Sequence, residues 1–146
     1  MTLTELALAA QLLAAGVMVG VIWAVQLLVY PAFASVSLPD WTRHHTSHSR
    51  RITWIVLPAM ATEVVACAWL ACVSMSTLAH RLALANLVLV LSTWVVTAYV
   101  ARRHHRRLTD AWHASTIQSL VRVNWVRTAL WSARAVLGSA LVIVAT

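Results

Sequence analysis

The stretch LALAAQLLAAGVMVGVIWAVQLLVY, residues 6–30, runs for twenty-five positions without a charged side chain and stops at Pro31. About 20 helical residues cross the hydrocarbon core of a bilayer, so this run reads as a membrane span. Glu5 stands just before it and no basic residue does. It therefore lacks the positive start of a cleaved secretory signal and is expected to be a retained helix. Working outward, further apolar runs cover residues 52–75 and 82–100. A last helix is expected to begin near Asp110, with its membrane part at about 125–145. The connections are 32–51, 76–81 and 101–109. The expected fold is all-α: a polytopic membrane four-helix bundle forming one integral membrane domain over 1–146.

Composition agrees. Of 146 residues 61% are hydrophobic and 10% charged, and the mean hydropathy is +0.78. An ordinary soluble domain carries about 25% charged residues, so a water-facing enzyme is excluded. All eleven basic residues are Arg, which removes Schiff-base chemistry and a phosphate-loop lysine. The three glycines, Gly16, Gly20 and Gly138, cannot build a glycine-rich nucleotide loop. A net charge of +7 would suit nucleic acid, but membrane proteins collect Arg on cytoplasmic loops for topological reasons, and no nucleic-acid partner is expected. Cys67 and Cys72, five apart, fall on different helix faces, so neither a disulfide nor a redox pair is expected.

Charge also orients the chain. Arg43, Arg50 and Arg51 lie in the first connection, and Arg102, Arg103, Arg106 and Arg107 in the third; the second holds only Arg81. The positive-inside rule puts the first and third connections in the cytoplasm and both termini outside, in a cell's inner (plasma) membrane. Four tryptophans, Trp41, Trp54, Trp112 and Trp125, fall near the arginine-rich boundary, where amphipathic rings favour the headgroup zone. Gly16 and Gly20 form a G-x-x-x-G pair that lets another backbone approach. It is read first as packing inside the bundle, with a homodimer contact as the alternative use.

A weak internal repeat aligns Trp41 with Trp112, Arg51 with Arg122, Trp54 with Trp125 and Glu63 with Arg134. The bundle would then be two parallel helix-loop-helix repeats. Equal offsets put Glu63 and Arg134 at one depth on the second and fourth helices. Either charge alone at the midplane costs about 2.5 to 3.5 kcal/mol, so pairing is expected, with Glu63–Arg127 as the fallback.

Asn124, Arg127, Trp131 and Arg134 recur at spacings of three, four and three, which defines one helix face. Ionisable residues on it must look into the bundle. Pro58 removes a backbone donor within the second span and frees the carbonyl of Trp54. Gln26, Ser92, Thr93 and Thr97 add polar positions in the cytoplasmic half. The expected site is a polar pocket lined by Gln26, Glu63, Asn124 and Arg127, with His48 and His105 at its mouth.

Six of seven histidines lie in or beside the first and third connections: His44, His45, His48, His104, His105 and His113. On a helical segment His44 and His48, four apart, share a face, a workable spacing for two metal ligands. With His105 and His113 they would make a site for iron or copper. The plainer alternative is histidines solvated beside lipid headgroups.

The runs GVIWAVQLLVYPAF (Gly20–Phe33), HSRRITWIVLPAMATE (His48–Glu63) and RVNWVRTALWSAR (Arg122–Arg134) resemble a bacterial group of small four-helix membrane proteins of mostly unknown function. That group is similar to the anthrone-oxygenase-like proteins of polyketide pathways. The resemblance covers all four spans. It implies a four-helix bundle, oxidation of an aromatic, membrane-soluble substrate, and roles for Gln26, His48, Arg51, Pro58, Glu63, His105, Asn124, Arg127 and Arg134. A more distant similarity is to the small four-helix protoporphyrinogen oxidases, although this chain has no His inside its first helix.

The leading expectation is thus an integral membrane oxidoreductase or oxygenase acting on a lipophilic, aromatic or anionic compound. Arg127 and Arg134 would bind the anionic group, and Glu63 or His48 would act as general base, with His suited to neutral pH. The alternatives are a small transporter or ligand-binding module with a Glu–Arg core, and an accessory subunit of a membrane complex.

Overall fold

A computed structural model describes residues 1–33, 36–73, 75–100, 103, 108 and 114–145. Helix α1 covers Leu3–Ala24 and continues through a π-helical turn, Val25–Val29, into Tyr30–Ala32. Helix α2 is Trp41–Cys72, α3 is Thr77–Val100 and α4 is Ala114–Ala145. Among the described residues there is no strand. All four helices are long and apolar enough to cross a membrane.

The start of α1 is set by a reciprocal cap: Glu5 N–H donates to Thr2 Oγ1 at 3.1 Å and Thr2 N–H donates to Glu5 Oε2 at 2.8 Å. This pair satisfies two amides that the first turn would leave open, and it starts the helix three residues before the apolar run. Near the other end Pro31 lacks an amide proton, and its ring would crowd the carbonyl four residues back. The chain widens just upstream, where Tyr30 N–H reaches back five residues to Val25 O. The wide turn accommodates one extra residue. Buried positions on α1 run Gln11, Ala14, Ala15, Met18, Ile22, Val25 and Gln26, and the next is Tyr30 rather than Val29.

α2 begins eleven residues ahead of the apolar run, so most of the first connection's basic stretch is helical. Its 32 residues span about 48 Å at 1.5 Å each, well beyond the ~30 Å hydrocarbon core. Helix α2 therefore projects past the bilayer at the end that carries Arg43, Arg50 and Arg51, called here the basic end. Pro58 lies inside α2 on its exposed side, away from the bundle interior, so it does not open the site as its position suggested.

α1 packs on α2 and α4, and α3 packs on α2 and α4, closing a ring of four. Three apolar layers fill it. Val25, Tyr30, Phe33, Trp41, Val100, Leu108, Ile117 and Leu120 fill the basic end. Met18, Ile22, Met60 and Trp131 fill the middle. The far end holds small residues such as Ala7, Ala66, Ala79 and Ala83, which allow close backbone approach in lipid. The outward surface is itself apolar, with Leu13, Trp54, Val65, Val95, Val136 and Ile143 all exposed. A soluble bundle would carry charge there, so this surface fits a bilayer.

Two expectations change. Gly16 and Gly20 point away from the bundle, with no atom within 4 Å of where a Cβ would stand, so they do not pack inside it. The packing glycine is Gly138, where a Cβ would lie 2.9 Å from Gln11 Oε1. Trp41 is not a headgroup anchor. It is 1% exposed, stacks on His45 at 5.4 Å and donates its indole N–H to Leu108 O at 2.7 Å. Trp54 and Trp125 do face outward; Trp112 lies outside the described residues.

Candidate functional site

Among the described residues, two groups of interior polar side chains stack along the bundle axis, while Asn86 and Thr93 of α3 bond to carbonyls of their own helix. The deeper group centres on Glu63 of α2 and Arg134 of α4. These helices are diagonal in the ring, so only long side chains meet across the axis. Glu63 Oε1 lies 3.0 Å from Arg134 Nη1, and both side chains are fully buried. The contact is one of charge proximity rather than an aligned hydrogen bond, since neither atom has a hydrogen-bond partner in line. Aligned bonds come from around it. Trp131 Nε1 donates to Glu63 Oε2 at 3.3 Å. Arg134 Nη2 donates to Gln11 Oε1 at 3.4 Å and approaches Cys67 Sγ at 3.3 Å. Gln11 Nε2 in turn donates to Gly138 O at 3.2 Å. The group is neutral overall and fully buried, with Arg134 Nε left without a hydrogen-bond partner. Cys67 belongs to it, while Cys72 is exposed on another side of α2.

The second group lies towards the basic end. Asn124 Nδ2 donates to Gln26 Oε1 at 2.8 Å, and Arg127 Nη1 donates to Asn124 Oδ1 at 3.1 Å. Thr128 Oγ1 donates to the Asn124 carbonyl at 2.9 Å. The π-helical turn matters here because it keeps both Gln26 and Tyr30 inward. The Tyr30 hydroxyl faces the Arg127 guanidinium. That guanidinium also sits over the Trp131 ring, 5.3 Å from its centroid, within cation–π range. Trp131 therefore touches both groups, one through its face and one through its N–H.

Arg127 is 7% exposed. Of the carboxylates among the described residues, Glu5 is engaged by Thr2 and Asp40 by Ser37 and Arg43. Glu63 is engaged by Arg134. Arg127 thus has no carboxylate partner among the described residues, and its Nε makes no hydrogen bond. A buried arginine without a counter-charge is expensive in a low-dielectric interior.

Arg127 lines a cavity of about 220 Å³ at the basic half of the bundle. All four helices supply polar groups to it: Tyr30 from α1, His48, Ser49 and Thr53 from α2, Thr97 from α3 and Arg127 from α4. Ser49 Oγ and Thr97 Oγ1 are buried without a hydrogen-bond partner. The remaining wall is apolar, including Met18, Ile22, Ile52 and Val56. Between Met18 and Tyr30 the cavity extends over twelve residues of α1, about 18 Å. Its deep end is apolar and its polar groups gather towards the basic end.

Of the expected pocket residues, Arg127 and His48 line this cavity. Gln26 and Asn124 stand behind Arg127 and hold it. Glu63 and Arg134 belong to the buried group deeper in. His44, His45 and His48 all pack their rings on Phe33, at 5.9, 6.1 and 5.4 Å. No three His, Cys, Asp or Glu side chains gather to hold a metal ion among the described residues. His105 and His113 lie outside the described residues, as does His104. Tyr30, Ser49 and Thr53 were not singled out from sequence. The Tyr30-Pro31 pair was the available signal, since a proline late in a span predicts irregular backbone before it. No family model, curated protein or solved structure matches this chain.

Proposed function

We propose that this protein is a membrane-embedded oxidoreductase whose substrate is a lipophilic weak acid, a phenol or an aromatic acid, bound in the cavity at the basic half of the bundle. The observation that carries the reading is Arg127: a buried cation with no carboxylate partner among the described residues, on the wall of a partly apolar cavity. An apolar cavity of about 150 Å³ takes a benzene ring, so 220 Å³ suits one ring with an acidic substituent. The polarity gradient orients it. The acidic group sits with Arg127, Tyr30 and Ser49, and the apolar part points to Met18 and Val56. Such a molecule already lies this way in one leaflet. His48 supplies the imidazole in the cavity wall that can accept a proton from it. Deprotonation makes a phenol ring or an activated CH2 carbon electron-rich, and dioxygen would be the oxidant, one oxygen atom forming the new carbonyl and the other leaving as water with the two displaced hydrogens.

The transport alternative would draw on Glu63 and Arg134. Both are fully buried and engaged with each other, which favours a supporting role for the pair. A homodimer or accessory contact would use the outward face of Gly16 and Gly20, which is open.

The test uses the purified protein in lipid nanodiscs with a panel of one-ring and two-ring phenols and aromatic acids, each beside its methyl ether or ester. Tryptophan fluorescence reads binding and an oxygen electrode reads turnover. The acids are expected to bind and the neutral derivatives to bind at least tenfold more weakly, since a hydrogen bond to a charged group contributes about 1.5 to 3 kcal/mol. Arg127→Gln should abolish the difference. His48→Ala should keep binding and lose oxygen uptake. Equal affinity for acids and esters would sink the Arg127 assignment. Binding with no oxygen uptake by the wild type would leave a ligand-binding module.

A further inference from the structure

α2 carries a second feature, on its outward side and independent of the cavity. From its start, Arg43, Ser47, Arg50, Trp54 and Leu57 follow one another at spacings of four, three, four and three, so they share one stripe. Arg43 and Arg50 are exposed, Ser47 is half-exposed, and Trp54 and Leu57 are 77% and 51% exposed. Arg43, Thr46, Ser47 and Arg50 line one open groove on this face. Asp40 takes a single bond from Arg43 Nη2, at 2.8 Å, and also accepts from Ser37 Oγ at 2.7 Å. Arg43 keeps its other donors, and Arg50 stands two turns away across two hydroxyls.

The order along the stripe is that of a lipid: two arginines with hydroxyls between them, an indole, then aliphatic side chains. The groove lies on the part of α2 that projects beyond the apolar run, and one turn deeper the same face meets acyl chains. A soluble anion would match the arginines but leave Trp54 and Leu57 unused. We propose that this face binds the headgroup of an anionic phospholipid. The phosphate is held between Arg43 and Arg50, with Ser47 and Thr46 donating, and the acyl chain runs along Trp54 and Leu57.

The probe is phosphatidylglycerol against phosphatidylcholine. The intact protein is reconstituted in mixed nanodiscs, and the lipid that co-purifies or survives into native mass spectrometry is counted. Each arginine near a membrane surface contributes about fivefold to association with anionic lipid. The Arg43→Gln/Arg50→Gln pair should therefore lower the phosphatidylglycerol preference by about twenty-five-fold. Arg43→Lys/Arg50→Lys should retain part of it. Both arginines lie at the surface, so helix content by circular dichroism is expected to stay unchanged. Arg81→Gln, at the opposite end of the bundle, is the control and should leave the preference intact. Three results would each overturn the proposal: no preference in the wild type, a preference that survives the double substitution, or an equal loss in Arg81→Gln. Displacement of the lipid by soluble glycerophosphate would show that the groove reads a free anion instead.

Discussion

At the scale of single residues, the interior is organised by polar side chains that pure hydropathy would have kept out, among them Gln11, Gln26, Glu63, Asn124, Arg127 and Arg134. Glu63 and Arg134 neutralise each other at 3.0 Å. Removing one partner of a buried pair typically costs about 3 to 5 kcal/mol, because the other charge is left uncompensated. Glu63→Gln and Arg134→Gln should each lower the thermal midpoint strongly, and the double variant should recover much of the loss. Additive losses would show that the two do not stabilise each other. Trp131 offers a finer test, since its ring carries Arg127 and its N–H serves Glu63. Trp131→Phe keeps a ring under Arg127 and leaves Glu63 Oε2 without its donor. The expected loss is about 1 to 3 kcal/mol from the unsatisfied acceptor, read as a lower midpoint with ligand binding retained. Trp131→Leu should lose both.

The element that positions the site is the wide turn at Val25–Val29. It holds one residue more than an α-helical turn and thereby keeps Tyr30 in line with Ile22 and Gln26. Deleting one outward residue there, Leu28, returns the segment to ordinary α-helical spacing with Tyr30 still facing inward. Deleting Leu13, equally exposed but in regular helix, turns everything on one side of it by about 100° relative to the other side, since 3.6 residues make a turn. Deletion of Leu28 should thus leave a folded bundle, and deletion of Leu13 should not. Comparable loss of folded protein by size-exclusion chromatography in both would refute the account of the turn. At the same scale the extension of α2 to Trp41 was not legible in the sequence. That stretch is basic and histidine-rich, and its helix is held by contacts made elsewhere: Trp41 on Leu108 and the histidines on Phe33.

For the whole molecule, an even number of spans puts both termini on one side and the basic end on the other. With Cys72 replaced by Ser to remove the exposed thiol and Cys67 left buried, a cysteine added at Ser37 and one added at Thr77 should be labelled from opposite sides of sealed vesicles. Labelling of both by an impermeant reagent from one side would refute this topology. The outward Gly16 and Gly20 have open space around them. Gly16→Leu/Gly20→Leu should therefore keep the midpoint of the monomeric bundle, where an internal packing role would predict a large fall.

Hydropathy alone determined the four spans, because a helix of about twenty mostly apolar residues has few stable settings besides a bilayer. It also marked Glu63, Asn124, Arg127 and Arg134 as interior, because lipid penalises a bare charge or amide so heavily. The Glu63–Arg134 contact followed from depth and that same penalty. Only the tertiary structure decided which apolar face of each helix turns inward. It placed Gly16 and Gly20 outside, Trp41 inside, Tyr30 in the cavity wall, and Glu63 away from it. The reason is that a bilayer removes the contrast a soluble helix displays: core and surroundings are both apolar, so Leu, Gly or Trp is nearly as well placed on either side. Packing shape and one extra residue before Pro31 make those choices.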